Sequence, residues 1–402
     1  MKKRTKTIVA MTLSCLLALS GCSFNKADSG KKDTTVIDDN PSSISSIASS
    51  QQTDEVVVFE EIPHPDFDIS ANDTEGSSTE NSSKEPSTEG TTEETAETPV
   101  DDNVVMVFFG DSQIANGKSD GTDIPSLVSQ RVPNSKSYNL AIGGTTAALE
   151  MSTSNAQDYE NWTSNCFFGM VLALEGTVDR NKLLASNPTT LETMNQINPA
   201  EVDYYFIEYG ANDFFGRVPL DKYSYEGDIN EIFTYYGAIC QGIDKLQKMS
   251  PNAHIIMLTP FYGIYKDANG SYLGDSYIVS NGIGTLADYA KKAINVAEDK
   301  ELYILDTMFR SKCDLYLDTA DQYLMDNIHL TLTGRQIFAR LLAHVPNSYE
   351  GFEPSAYRQT ENIRIADFNP DEYYKISDES LQELFPEEYE KYINGEYLLV
   401  KP

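Results

Sequence analysis

Cysteine is scarce in this chain. There are five in 402 residues: Cys15 and Cys22 near the N-terminus, then Cys166, Cys240 and Cys313 far apart. No C-x-x-C pair suggests zinc, and three scattered thiols exclude a dense disulfide framework, although one bridge among them stays open. Cys166 and Cys240 sit in the apolar runs "NCFFGMV" and "YGAICQGI" and read as small buried hydrophobes. Basic residues are also few: 30 Lys and Arg face 62 Asp and Glu, for a net charge of -32. Phosphate backbones need clustered Lys and Arg, so nucleic acid is excluded as a partner. Histidine is rarer still, with four in the chain. No cluster of residues has metal-ligand spacing, so neither a metal nor a cofactor is expected. There is no internal repeat of about 20–50 residues.

The one strongly apolar run at the N-terminus, "TIVAMTLSCLLALS", has 14 residues. That falls short of the roughly 20 that cross a bilayer. It follows the basic "MKKRTK" and precedes "LSGC", the order of a secretory signal. The last four residues resemble the lipobox of bacterial lipoproteins. The resemblance implies that residues 1–21 are removed as a signal peptide and that Cys22 is lipidated. The chain would then stand outside the cytoplasm, anchored to the bacterial cell membrane. Ordinary signal cleavage, with Cys22 incidental, is the alternative.

Residues 22–101 are rich in Ser, Thr, Glu and Asp, as in "STENSSKEPSTEGTTEETAETP". Such a segment cannot bury enough apolar surface to offset its ordering entropy, and it reads as a disordered acidic tether. From residue 102 the pattern changes. The runs "VVMVFF", "SYNLAI", "DYYFIEY", "HIIMLT" and "LYILD" are near-continuously apolar, as strands buried on both faces are. Helical spacing between them predicts helices near 123–132, 167–198 in pieces, 229–249, 283–299 and 333–344. Alternating strands and helices imply a parallel sheet with right-handed crossovers. The expected fold over 102–345 is α/β, a three-layer flavodoxin-like sandwich on a five-stranded parallel sheet. Residues 346–402 form an acidic, Tyr-rich extension with short helices packed on the body.

Ligands of such sheets bind beyond the carboxyl ends of the strands. Four polar groups stand there or before the last helix: Gly110-Asp111-Ser112, Gly143-Gly144-Thr145-Thr146, Gly210-Ala211-Asn212-Asp213, and Asp326 with His329 in "DNIHLTLTG". Alone, Ser112 reads as a helix cap. In this company it suits acyl transfer. A serine hydroxyl needs a base to take its proton, and His329 can be that base. Asp326 can fix its tautomer and stabilise the imidazolium. An oxyanion needs donors already in place, which the backbone N–H groups of Gly144 and Ser112 and the side-chain amide of Asn212 can supply. Elimination favours His329. His64 lies in the tether, His254 starts a strand at the wrong sheet edge, and His344 closes the last helix. Asp111 and Asp306 read as structural carboxylates that bond backbone amides.

These residues resemble the blocks of the SGNH/GDSL hydrolase family. Block I is Gly110-Asp111-Ser112, block II lies in "NLAIGGTT", block III is Gly210-Ala211-Asn212-Asp213, and block V is Asp326-Asn327-Ile328-His329. The resemblance spans about 102–345. It implies ester hydrolysis through an acyl-enzyme, with Ser112, Gly144, Asn212 and His329 as the four name residues and Asp326 as third triad member. Ala141 stands where block II often has its first glycine, which keeps Gly143 open as the oxyanion donor beside Gly144. The expected substrate is a small acyl group such as acetyl on a carbohydrate, either an acylated small molecule or a polysaccharide. A lysophospholipase or lipase is the runner-up, and a non-catalytic glycan-binding or assembly domain is the other alternative. The tyrosines of "FFGRVPLDKYSYEGD" and "FYGIYKDANGSYLGDSY" either stack on sugar rings or cover the surface.

Overall fold

The computed structural model describes residues 103–150, 158, 162, 164–221, 229–369 and 377–398. The expected signal peptide, Cys22 and the expected tether lie outside them. Seven strands are present among the described residues: β1 (Val104–Gly110), β2 (Ser135–Asn139), β3 (Tyr204–Glu208), β4 (His254–Leu258), β5 (Ile264–Lys266), β6 (Tyr272–Asp275) and β7 (Tyr303–Leu305). Five of them form one parallel sheet in the order β2-β1-β3-β4-β7. The apolar runs explain this. β3 is buried at every position and β1 at all but one. The paired Phe108 and Phe206 stack across the centre at 4.3 Å between ring centroids.

From β1 the chain steps outward to β2, then returns to β3 and continues through β4 to β7. Right-handed crossovers therefore send the β1–β2 helices to one face and the helices of the later crossovers to the other, while the last helix, after β7, returns to the first face. The packing agrees. Helix Ile124–Ser129 packs on Leu332–Tyr349, while Phe167–Glu175 packs on Tyr235–Met249, which in turn meets Leu286–Asp299. The result is the three-layer α/β sandwich expected from the apolar pattern.

Two local features differ from the sequence reading, and the question of a bridge among the cysteines is answered. The loop after β4 contains an antiparallel hairpin, β5–β6. Its turn is built by Asp267, whose carboxylate accepts from the amides of Asn269 and Ser271. The last helix does not close at His344 but runs to Tyr349, crossing the boundary drawn at 345/346. His344 lies inside it and is buried, because Glu353 and Glu361 of the following segment bond its two ring nitrogens. The three described cysteines are buried and free, and no bridge joins them. The C-terminal extension does form short helices, Ser355–Thr360, Asp378–Leu384 and Pro386–Ile393. No described helix is long and apolar enough to cross a membrane.

Candidate active site

The end of β1 turns directly into the short helix Ser112–Ala115. Asp111 caps it, its Oδ1 accepting from the Gln113 amide at 2.9 Å. Ser112 is thereby set at the first helical position, above the carboxyl edge of the sheet. Across a gap of more than 200 residues, the loop before the last helix brings His329 to it. The Ser112 hydroxyl donates to His329 Nε2 at 2.8 Å. The other ring nitrogen, Nδ1, donates to Asp326 Oδ2 at 2.7 Å. A carboxylate on Nδ1 leaves Nε2 free to accept, the tautomer a general base requires. Asp326 Oδ1 also accepts from the amides of Ile328 and His329. Burial alone would push the Asp326 carboxyl up. The hydrogen bonds and the adjacent ring outweigh it and hold the group below its ordinary value.

The second wall comes from β3. Gly210 follows it with φ +139°, a conformation that strains any side chain. An added Cβ there would also lie 2.9 Å from Pro260. The turn aims Asn212 back at the nucleophile loop, where its Nδ2 donates to Asp111 Oδ2 at 2.9 Å. Asp213 faces the other way. Its carboxylate accepts from the amides of Ala147 and Ala148 at 2.8 and 3.2 Å and so fastens the loop carrying Gly143 and Gly144. Gly143 lies against Ser112: a Cβ added to it would sit 3.5 Å from Ser112 Cβ. Gly144 adopts φ +80° and has open space where a side chain would be.

Beneath these groups lie three fully buried carboxyls, Asp111, Glu208 and Asp213. Burial pushes Asp111 up to about 6, though N–H donors from Gln113 and Asn212 restrain it. Burial pushes Asp213 up to about 7 against the pull of its two amide donors. Glu208 is driven well above the carboxylate range, first by burial and then by the charge of Asp111 beside it. Within this pair the shifts favour the proton on Glu208 and the charge on Asp111.

The structure thus gathers Ser112, His329, Asp326, Asn212 and the Gly143–Gly144 loop at one sheet edge. It sets the other histidines apart. His254 stacks between Tyr204 and Tyr349, His344 is buried elsewhere, and His64 lies outside the described residues. Asp306 accepts from the amides of Met308 and Phe309, as a structural carboxylate does. Two neighbours of the site were not singled out from sequence. Glu208 is hidden in an apolar run. Gln113 bonds main chain on both sides of His329, donating to Ile328 O at 2.7 Å and accepting from Leu330 N at 3.2 Å. Among the described residues no group of three or more His, Cys, Asp or Glu could hold a metal ion.

Residues 106–342 match the family model of GDSL-like lipases and acylhydrolases. Solved structures similar to the chain include a possible lipase from Chitinophaga pinensis, at 17% identity and TM-score 0.42, covering 62% of this chain and 99% of that one. A protein from Lactobacillus plantarum shows 18% identity and TM-score 0.42, covering 61% and 98%. An acetylxylan esterase from Geobacillus stearothermophilus shows 16% identity and TM-score 0.33, covering 59% and 91%. No curated protein matches the chain significantly.

Proposed function

The chain belongs to the GDSL-like lipase/acylhydrolase family and is a serine ester hydrolase, and from that premise we propose that Ser112 is its nucleophile, acting on small acyl esters of carbohydrate. The observation that carries this reading is the unbroken chain of hydrogen bonds from Ser112 through His329 to Asp326. His329 Nε2 takes the serine proton as Oγ attacks the ester carbonyl, and the Asp326 carboxylate stabilises the imidazolium. The oxyanion is received by the backbone N–H groups of Gly144 and Ser112 and by Asn212 Nδ2. One Nδ2 hydrogen is held by Asp111, which leaves the other for the oxyanion. Collapse of the intermediate expels the alcohol, protonated by His329. The same imidazole then activates water to release the acid.

Exposed aromatic side chains support a carbohydrate leaving group. Phe215 follows β3, Tyr272 and Tyr277 belong to the hairpin segment, and Phe309 follows β7. Rings presented in this way offer flat apolar faces of the kind that cover sugar rings. The lipobox-like "LSGC" supports a position outside the cytoplasm, with the chain held to the membrane through a lipid on Cys22.

The test uses the full chain on p-nitrophenyl acetate beside Ser112→Ala, then on acetylated xylan, acetylated peptidoglycan and lysophospholipid. Acetate release that vanishes in Ser112→Ala is expected, with a preference for the acetylated glycans. Equal rates in the two proteins would remove Ser112 from the mechanism. A preference for the lysophospholipid would replace the carbohydrate reading with a lipase one. Incorporation of a labelled fatty acid that is lost in Cys22→Ala is the outcome expected of the anchor.

A further inference from the structure

His329 and Asp326 sit on an exposed loop. Their side chains are 28% and 53% accessible, and the neighbouring Met325 is 56% exposed. Apolar burial therefore does little to hold the loop, yet the reaction needs His329 Nε2 within hydrogen-bond reach of Ser112. Main-chain bonds supply the restraint. Asn327, at φ +72°, accepts through its carbonyl from the Ile264 amide at the start of β5. The His329 carbonyl accepts from the Met325 amide, and Arg335 donates to the Leu330 carbonyl. The remaining two groups flanking the histidine, the Ile328 carbonyl and the Leu330 amide, both go to the side chain of Gln113.

Gln113 is the residue after the nucleophile. The residue is 3% exposed, and its own amide is fixed by Asp111. We propose that Gln113 is a positioning residue: its carboxamide clamps the main chain on both sides of His329 and so sets the distance between His329 Nε2 and Ser112 Oγ. The geometry suits that task. A carboxamide offers one donor and one acceptor in a rigid plane, matched here to one carbonyl and one amide two residues apart. An apolar side chain of equal size would fill the same space and leave both main-chain groups unpaired. The clamp also joins the base's loop to the very helix that carries the nucleophile. A shift in one is thereby transmitted to the other, and their separation is kept.

This inference rests on the reading of Ser112 and His329 as nucleophile and base. The full chain is assayed on p-nitrophenyl acetate as wild type, Gln113→Met, Gln113→Asn and Ser112→Ala. Active sites in the first three are counted by end-point reaction with a phosphonate ester. Gln113→Met is expected to lose about 30- to 100-fold in kcat per titrated site, the scale of a misplaced catalytic group, with KM within about twofold. Gln113→Asn keeps the carboxamide but is one methylene short, so it should fall between Met and wild type. A Gln113→Met kcat within about threefold of wild type would overturn the proposal. So would a loss confined to KM or to the number of titratable sites, including no sites in either variant, since Gln113 would then serve stability alone. If Ser112→Ala instead matches wild type, the underlying reading falls and the clamp falls with it.

Discussion

Asn212 carries two duties in one amide. Its Nδ2 is bound to Asp111 and, in the proposed reaction, gives its second hydrogen to the oxyanion. Asn212→Ala is therefore expected to reduce kcat about 100- to 1000-fold, the loss that follows removal of one oxyanion donor, with little change in KM; steady-state kinetics on p-nitrophenyl acetate read the split. At this scale much of the site was legible. Ser112, Gly144, Asn212 and His329 each follow an apolar run or precede the last helix, and their chemistry is carried by residue type. Gln113 and Glu208 were not legible for opposite reasons. Gln113 finds its partners more than 200 residues away, and no local pattern encodes such a pairing. Glu208 lies within "DYYFIEY", where burial at every position of β3 raises its carboxyl well above the ordinary value.

Among the elements, the segment after the last helix is held by charge. Glu361 bonds both the His344 ring and Arg340, the latter at 2.5 Å, and Glu353 bonds the other side of His344 at 2.7 Å. All four side chains are at most 4% exposed. Burial pushes the His344 imidazole down, but the two facing carboxylates outweigh it and bring it up to about 9. Removing Glu361 takes away the carboxylate that Arg340 and His344 share in the interior. Glu361→Ala is expected to destabilise the fold by about 3–5 kcal/mol, measured by urea unfolding, and to expose the segment beyond residue 350 to proteases. The cluster could not be read in advance because His344 looked like a helix end. The helix continues through Pro346 to Tyr349, and only the packed extension supplies the acids. The hairpin β5–β6 did leave a signal, since "DANG" is a turn sequence, but its flanking strands are too short to show alternation.

For the whole molecule, the buried acids set how stability changes with pH. Asp111, Asp213 and Glu353 sit at about 6, 7 and 7, while an unfolded chain releases these protons near about 4. The folded state holds the extra protons between those values, so its stability falls as pH rises through that window. His344 acts in the same sense. Its contribution is full below about 6.5, the unfolded value, and is lost as pH climbs through about 9. The lowered carboxyls of Asp120, Glu175, Asp267 and Asp326 act only below about 4, where their stabilisation is lost as pH falls, and a net charge of -32 adds repulsion at high pH. Melting temperature is expected to be highest at about pH 4, the unfolded carboxyl value, and to decline toward about pH 9. A flat profile in differential scanning calorimetry would contradict this account. The sheet and its layers were legible at this scale, because long apolar runs separated by amphipathic ones leave few other arrangements.

The buried cluster around His344 also separates the unit of ancestry from the unit of assembly. The stretch shared with the family ends at residue 342, but two of the acids that neutralise the last helix come later, at Glu353 and Glu361. The same late segment braces the approach to His329: Tyr323 donates to the Ile365 carbonyl, and Asp314 accepts from the Ile365 amide. During synthesis every family block emerges before this brace does. A chain halted near residue 345 would hold every family block but lack the two carboxylates that pair Arg340 and His344 and the Ile365 main chain that ties down Tyr323 and Asp314.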